Sequence, residues 1–241
     1  MKPRLYLRKI LRRFGYDLHR VPVASLTLRD LEFDLPILVG NENPVVFDVG
    51  ANRGQTIDLV RRVFSRPVIF SFEPNPDLLP ELIRNYARSA VAIEGVALGN
   101  SEGSIDFHVS ENSELSSVLA IEETAVNPFS KVNIRKCVSV PLTTLDSYVK
   151  QRGLMHIDLL KIDTQGFDLE VLRGASTILK LQGIATLLVE VNFTSLYKGQ
   201  STFGDVQQYL KDKRYGFVAL YEVARVNRHI GWATACFQRI M

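Results

Sequence analysis

The sequence predicts an α/β fold, a doubly wound seven-stranded sheet whose last strand is antiparallel, with a helical N-terminal extension. From Val45 onward, apolar runs rich in β-branched residues alternate with amphipathic stretches of helical periodicity. Strands that are apolar at nearly every position are typical of a parallel sheet covered by helices on both faces. The connection before the last strand is too short for a crossover helix, so this strand is expected to run antiparallel.

Each element is predicted from the length and pattern of its segment. The seven strands of this sheet are Val45–Val49, Val68–Phe72, Val91–Ala97, Ile157–Ile162, Ile184–Val191, Phe217–Tyr221 and Ala233–Arg239. The helices are Gln55–Phe64, Pro76–Arg88, Thr144–Gln151, Leu169–Lys180 and Phe203–Lys211.

The stretch Gly103–Pro141 interrupts this alternation of strands and helices. It predicts an inserted strand pair, Ser104–Val109 and Lys136–Val140, around a polar loop. The serine-rich part of that loop, Ser110–Ser117, is a candidate to close over a bound ligand.

Residues 1–43 are predicted to form a basic extension and linker, and residues 44–241 a single domain. The segment Pro3–Arg20 has apolar residues at helical spacing and arginines on the remaining surface. This helix either packs on the domain or contacts anionic lipid at a membrane surface. A loose linker with Pro22, Pro36 and the run Asn41–Pro44 is expected to follow.

Composition narrows the class of protein. The chain has 241 residues, 46% of them hydrophobic, and a formal net charge of +3, which does not indicate nucleic-acid binding. Two distant cysteines, Cys137 and Cys236, argue against a disulfide framework and favour a reducing compartment. Without a signal peptide or a membrane-spanning apolar run, the expected location is the cytoplasm, with membrane association through the N-terminal helix as the alternative.

A glycine turn follows the first predicted strand. The segment VVFDVGANRGQT places Asp48 at the strand end and Gly50 and Gly54 in the turn that opens the next helix. Gly50 allows a tight turn and the close approach of a ligand. The pattern resembles a dinucleotide site, but the usual G-x-G-x-x-G spacing is absent.

An acidic residue, Glu73, ends the second predicted strand in the segment FEPNP. A carboxylate at this position can accept hydrogen bonds from both hydroxyls of a ribose. The alternative is that Glu73 only favours the start of the next helix through the helix dipole.

Six segments together resemble the FkbM family of S-adenosylmethionine-dependent methyltransferases, and they cover residues 44–193. They are FDVGANRGQT, FEPNP, GVALGNSEG, the pair Ser116–Ser117, TTLD and DLLKIDTQGFDLEVLRGA. The resemblance implies a Rossmann-like methyltransferase sheet that binds S-adenosylmethionine and methylates a hydroxyl of a sugar, glycan or secondary metabolite. Many members carry glutamate where this chain has Gln165.

The resemblance also implies positions for the cofactor. Gly50, Asn52 and Gly54 would surround its methionine part, Glu73 would hold the ribose and Leu98 would line the adenine pocket. The complete set of candidate cofactor-binding residues is Asp48, Gly50, Asn52, Arg53, Gly54, Thr56, Glu73, Asn75, Leu98 and Ser117.

Methyl transfer to a hydroxyl requires alignment of the reacting atoms and a base or metal that takes up the proton. Such groups belong at the carboxyl ends of the strands, where Asp163 and Glu190 lie. With Asn192 these residues could bind Mg²⁺. Alternatively, Asp163 acts directly as the base, contacts the cofactor, or only caps the helix that follows.

His229 is the remaining catalytic candidate, because the loop Val223–Gly231 joins the last two strands above the same edge of the sheet. It would contact the acceptor there, unless the loop is simply a solvated basic turn.

Other functions remain as alternatives to the methyltransferase. They are an NAD-dependent oxidoreductase and a non-catalytic binding module on the same fold. A nucleic-acid methyltransferase is disfavoured, because the chain lacks an Asn-Pro-Pro-Tyr motif and a basic aromatic face.

Overall fold

The structure is a computed structural model that describes Leu11 and residues 26–240, except for residues 88, 125 and 126. The predicted helix Pro3–Arg20 therefore lies outside the described residues, apart from Leu11. No helix in the described part of the chain has an apolar stretch long enough to cross a membrane.

Seven strands form the main sheet, and three form a smaller one. The main-sheet strands are β1 (Val45–Val49), β2 (Val68–Phe72), β3 (Val91–Glu94), β7 (Ile157–Ile162), β8 (Ile184–Asn192), β9 (Tyr215–Val226) and β10 (His229–Arg239). The smaller sheet contains β4 (Ala97–Leu98), β5 (Gly103–Ser110) and β6 (Ile134–Thr143). The helices are α1 (Leu31–Val39), α2 (Gln55–Val63), α3 (Leu79–Tyr86), α4 (Leu145–Arg152), α5 (Asp168–Arg173), α6 (Ser176–Lys180) and α7 (Phe203–Asp212).

The main sheet has the strand order β3-β2-β1-β7-β8-β10-β9. The first five strands in this order pair in parallel, and β10 is antiparallel to both of its neighbours. The predicted fold class is therefore confirmed, including the reversed last strand. Because β1 lies near the middle of the sheet, its carboxyl end faces a crevice between the loops of both halves.

Two hydrophobic cores cover the two faces of the sheet. On one face, Phe47 and Val49 of β1 pack with residues from helices α4 to α7. On the other face, Val46 packs with residues from helices α1 to α3. This alternation of neighbouring residues between two cores explains why the strands read as unbroken apolar runs.

The segment predicted to be a loose linker instead contains helix α1. Asp30 caps this helix by accepting a hydrogen bond from the Phe33 amide, and Leu35 is buried against the second core. Asp34 is fully buried and accepts hydrogen bonds from the Thr27 amide and the Tyr221 hydroxyl. These contacts offset the backbone hydrogen bond that Pro36 removes inside the helix. The division into an extension and a domain at residue 44 stays a prediction.

Several predicted elements have other bounds in the structure, and two of them also differ in organisation. The strand Val91–Ala97 ends at Glu94, and the chain then enters the smaller sheet as β4. The helix Leu169–Lys180 is broken into α5 and α6 at Gly174, where a Cβ atom would overlap the backbone oxygen of Gly99. The inserted strand pair is present as β5 and β6, which pair antiparallel.

Candidate active site

A cavity of about 420 Å³ opens at the carboxyl ends of β1, β2, β7 and β8. Seven of the predicted site residues line it: Gly50, Asn52, Thr56, Glu73, Leu98, Asp163 and Glu190. These residues are far apart in sequence, and the parallel strands bring their ends to one edge of the sheet.

The glycine turn after β1 is held tightly against the end of β7. Gly50 has a φ of 85°, and a Cβ atom there would overlap the backbone oxygen of Asp163. Its amide donates to the Phe72 oxygen at the end of β2. A residue without a side chain is therefore required at this position for the three strand ends to meet.

Glu73 lies at the end of β2, buried in the cavity wall. Its carboxylate accepts hydrogen bonds from the amides of Asn52, at 2.6 Å, and Asn75, at 2.8 Å. Burial raises the pKa of Glu73 to about 7, although these two amides and the Lys161 ammonium act in the opposite direction. Asn75 thus acts on the cavity by orienting Glu73.

Asp48 lies beneath the cavity and does not line it. Its Oδ2 accepts from the Ser71 hydroxyl at 3.3 Å, while its Oδ1 has no hydrogen-bond partner among the described residues. Lys161 of β7 is its register partner, with 3.8 Å between Nζ and Oδ1. Burial raises the pKa of Asp48, and Lys161 opposes this shift.

Lys161 also lies 3.1 Å from the Oδ2 atom of Asp163. Burial alone would lower the pKa of Lys161, but Asp163 and Asp48 raise it above its ordinary value. Sequence reasoning missed this lysine. The available signal was a charged residue near the end of an apolar strand, two positions before Asp163 and therefore on the same face.

Gln165 connects the two predicted catalytic carboxylates. Its Nε2 donates to Asp163 Oδ1 at 2.8 Å and to Glu190 Oε2 at 3.1 Å. The Tyr197 hydroxyl donates to Gln165 Oε1 at 2.7 Å and thereby fixes the orientation of the amide. Gln165 has a φ of 55°, a conformation that is uncommon for a residue other than glycine.

Glu190 is at the end of β8 beside Asp163. Burial raises the pKa of Glu190 well above its ordinary value, and the nearby Asp163 carboxylate raises it further. Glu190 and Asp163 are held within hydrogen-bond distance of one amide, on the cavity side of the two strand ends.

The predicted Mg²⁺ site at Asp163, Glu190 and Asn192 is not supported. The described residues contain no group of three or more His, Cys, Asp or Glu side chains that could hold a metal ion. The carboxylates instead meet the Lys161 ammonium and the Gln165 amide, which are donors and not ligands. Asn192 is buried outside the cavity lining, and its side-chain amide has no hydrogen-bond partner among the described residues.

Four further predicted residues lie outside the cavity lining. Arg53 is exposed and pairs with Glu81, while Gly54 packs against the Tyr86 ring. Ser117 donates to the Gln165 backbone oxygen at 2.8 Å and so anchors the inserted loop. His229 is exposed at the start of β10, and the structure does not bring it to the catalytic carboxylates.

The inserted segment closes one side of the cavity. Ser113, in a short 3-10 helix, donates to the Asn52 side-chain oxygen at 3.0 Å. Apolar side chains of the smaller sheet and this loop, including Phe107 and Leu115, line the same wall as Leu98. That this loop closes over a bound ligand stays a prediction.

The model of the methyltransferase FkbM domain matches residues 48–218, which include most of these strands and most of the cavity lining. The chain belongs to this family. Among FkbM relatives, the 2-O-methyltransferase NoeI of Sinorhizobium fredii is 27% identical over 202 residues, 80% of this chain and 80% of the relative. The hexuronic acid methyltransferase AglP of Haloferax volcanii is 27% identical over 153 residues, 63% of this chain and 57% of the relative.

A solved structure of a methyltransferase FkbM from Methylobacillus flagellatus shares the fold, with a TM-score of 0.53 and 16% identity. The match covers 82% of this chain but 44% of that one, so this chain spans less than half the length of the crystallised relative. Membership in the FkbM family makes the protein a methyltransferase, with S-adenosylmethionine as the methyl donor. It sets aside the oxidoreductase alternative.

Proposed function

We propose that this protein transfers the methyl group of S-adenosylmethionine to a hydroxyl of a sugar. The observation that carries the proposal is the Asp163–Glu190 pair, bridged by the Gln165 amide and facing the cavity that Glu73 also lines. The position of this pair supports a role for Asp163 as the proton acceptor in a cofactor-sized cavity.

The residues of the cavity fit S-adenosylmethionine. The buried Glu73 carboxylate suits two ribose hydroxyls, and Leu98 with Phe107 provides an apolar wall for adenine. Asp48 lies buried beneath the turn, 3.8 Å from the Lys161 ammonium, and contributes negative charge below the methionine part. Gly50 and Asn52 supply the turn around the methionine part.

The bound donor supplies an electrophilic methyl group on a sulfonium. The chain then has to orient a hydroxyl in line with that methyl group and remove its proton. Asp163 takes the proton, because its carboxylate lines the cavity at the end of β7, where Lys161 donates to its Oδ2 atom at 3.1 Å. Glu190, held beside Asp163 by the same Gln165 amide, contacts the acceptor. The Gln165 amide holds the carboxyl groups of Asp163 and Glu190 side by side.

The sugar acceptor is supported by the names of two relatives. NoeI is named a 2-O-methyltransferase and AglP a hexuronic acid methyltransferase. These names state the activities of the two relatives and not of this chain, and the match covers 57% of AglP. A sugar as the acceptor of this chain is therefore part of the proposal.

Two measurements test the proposal in sequence. Calorimetry with S-adenosylmethionine and S-adenosylhomocysteine measures donor binding, and release of S-adenosylhomocysteine is then measured against a panel of sugars and oligosaccharides. Donor binding with sugar-dependent release supports the proposal. Binding without release in the presence of any sugar indicates a non-catalytic binding module or another acceptor class, and absence of binding overturns the cofactor assignment.

A further inference from the structure

An aromatic pair lies at the cavity edge, outside the machinery described so far. Trp232 and Phe129 both line the cavity, and their ring centroids are 5.3 Å apart. Both side chains are half-buried, so each keeps surface that a ligand can reach. Trp232 is the single tryptophan of the chain.

The pair lies on the acceptor side of the cavity. Trp232 of β10 is the register partner of Asn192, two positions beyond Glu190 on the same face of β8. In the strand order, β10 is four positions away from β2, which carries Glu73. At about 4.8 Å between strands, this separation is roughly 19 Å, so Trp232 lies far from the ribose position.

Phe129 is fixed in place by the segment that carries it. The Asn127 side chain accepts from the Phe129 amide at 2.9 Å and donates to the Leu196 backbone oxygen at 2.9 Å. The inserted loop is thereby attached to the segment after β8. An aromatic surface that is held in place before the ligand arrives loses little conformational freedom on binding.

Glu222 enters the cavity edge from β9, beside Trp232. Between the pairs Tyr221–Thr234 and Ala224–Trp232 the strand β9 has two residues and β10 has one, which is a β-bulge. Glu222 in this bulge has a φ of 50°, and its Oε2 accepts from the Thr234 hydroxyl at 2.8 Å. Bulges with such strained residues commonly direct a side chain toward a site.

Acidic side chains dominate the lining of the cavity. The acidic residues are Glu73, Glu114, Asp163, Glu190 and Glu222, and Lys161 is the one basic residue among the lining residues that the structure describes. The Lys161 ammonium already lies between Asp163 and Asp48. A ligand carboxylate near Trp232 would therefore meet Glu222, and the described lining of this cavity offers it no basic side chain other than Lys161.

We infer that Trp232, Phe129 and Glu222 form the acceptor subsite, and that it takes the ring of an uncharged sugar in preference to a uronic acid. This inference rests on the proposed function. The C–H face of a pyranose is apolar and packs on an aromatic ring, while its hydroxyls reach the carboxylate of Glu222. A uronic acid of the same shape adds a negative charge beside that carboxylate, so discrimination comes from repulsion.

The test compares matched sugars on the full-length protein. Methyl glucoside and methyl glucuronide differ only at C6, and neutral oligosaccharides are paired with their uronic-acid counterparts in the same way. With S-adenosylhomocysteine bound, the fluorescence of Trp232 reports sugar binding, and release of S-adenosylhomocysteine from the donor reports turnover. We expect neutral sugars to change the emission and to be turned over with a kcat/KM at least tenfold higher than that of their uronic-acid partners.

Variants assign the effect to the subsite. Trp232→Ala should lower kcat/KM for the sugar at least tenfold, and Trp232→Phe should recover much of it, while calorimetry shows unchanged S-adenosylmethionine affinity. Glu222→Gln should raise kcat/KM for the uronic acid about threefold to tenfold. Phe33→Ala, at an exposed aromatic outside the cavity lining, is the control.

The outcomes separate this inference from the proposed function. Sugar turnover that favours the uronic acid, or that Trp232→Ala leaves unchanged, overturns the subsite and leaves the proposed function in place. Donor binding without turnover of any sugar overturns both.

Discussion

Asp48 and Lys161 are register partners on the central strands β1 and β7, with their charged atoms 3.8 Å apart below the cavity. Lys161 also contacts Asp163, which projects into the cavity. One buried ammonium therefore serves both the carboxylate beneath the cofactor turn and the carboxylate proposed as the base. The Lys161 ammonium therefore links the part of the site proposed to bind the cofactor with the part proposed to carry out the reaction.

Lys161→Met is expected to destabilise the fold, because it leaves Asp48 buried without its cation. Removal of one partner from a buried pair costs about 3 kcal/mol. Urea unfolding measures this loss in the free energy of unfolding. The double variant Lys161→Met, Asp48→Asn should recover part of the stability, and a single variant as stable as the parent would contradict the pairing.

The affinity for S-adenosylhomocysteine is expected to fall as the pH decreases below 7. Burial raises the pKa of Glu73 from 4.5 to about 7 in the free protein. Hydrogen bonds from ribose hydroxyls favour the ionised carboxylate, so the pKa is lower in the complex and binding below pH 7 releases a proton. Each pH unit below 7 should weaken binding by up to about tenfold, with a plateau above it.

Calorimetry from pH 5.5 to 8.5 in buffers of different ionisation enthalpy measures both the affinity and the released proton. Glu73→Gln should bind more weakly and lose the pH dependence between these limits. The same raised pKa means that the folded protein holds more protons than the unfolded chain between pH 4.5 and 7. Glu73 therefore lowers stability as the pH rises through this range, and Glu73→Gln should remove that contribution.

Asp163→Asn is expected to lower kcat by about 10²- to 10⁴-fold, the range for loss of a general base. Donor affinity measured by calorimetry should change little, because Asp163 lies on the acceptor side. Asp106→Asn, at an exposed position on β5, is the matched control. Treatment with EDTA should leave turnover unchanged, since Lys161 and Gln165 already satisfy the two carboxylates. Full activity of Asp163→Asn would remove Asp163 from the mechanism.

Tyr197→Phe is expected to lower kcat about threefold to tenfold, since one hydrogen bond that orients the Gln165 amide is lost. Tyr215→Phe is a suitable comparison, because that hydroxyl donates to the Ile184 backbone oxygen in the core. An equal loss of activity in both variants would indicate a general effect on packing and contradict the positioning role of Tyr197.

Gly50→Ala is expected to destabilise the fold by about 2–4 kcal/mol, which combines left-handed backbone strain with overlap against Asp163. Gly153→Ala is the control that measures the backbone strain without the overlap, because Gly153 has a φ of 65° and open space around it. Thermal unfolding and donor binding are measured for both. Equal effects at the two positions would show that the close approach of β1 and β7 is not required.

The sequence by itself determined which segments form the main-sheet strands, the bounds of three of these strands and the position of the cofactor turn. Val45–Val49, Val68–Phe72 and Ile157–Ile162 agree residue by residue with the structure. This was possible because apolar periodicity and strand-end motifs such as Asp48 with its glycine turn are local signals. Proline at position 36 misled the same reasoning, because the burial of Asp34 by Tyr221 depends on a strand 187 residues away.

The tertiary structure decided which side chains meet. Nothing local indicates that the Gln165 amide bridges Asp163 and Glu190, or that Trp232 lies against Phe129 beside Glu222. Strand register and the β-bulge bring these residues together from five separate segments. The prediction of a Mg²⁺ site was wrong for the same reason. It considered only the oxygen atoms at the strand ends, and the sequence did not show that the Lys161 ammonium and the Gln165 amide lie between them.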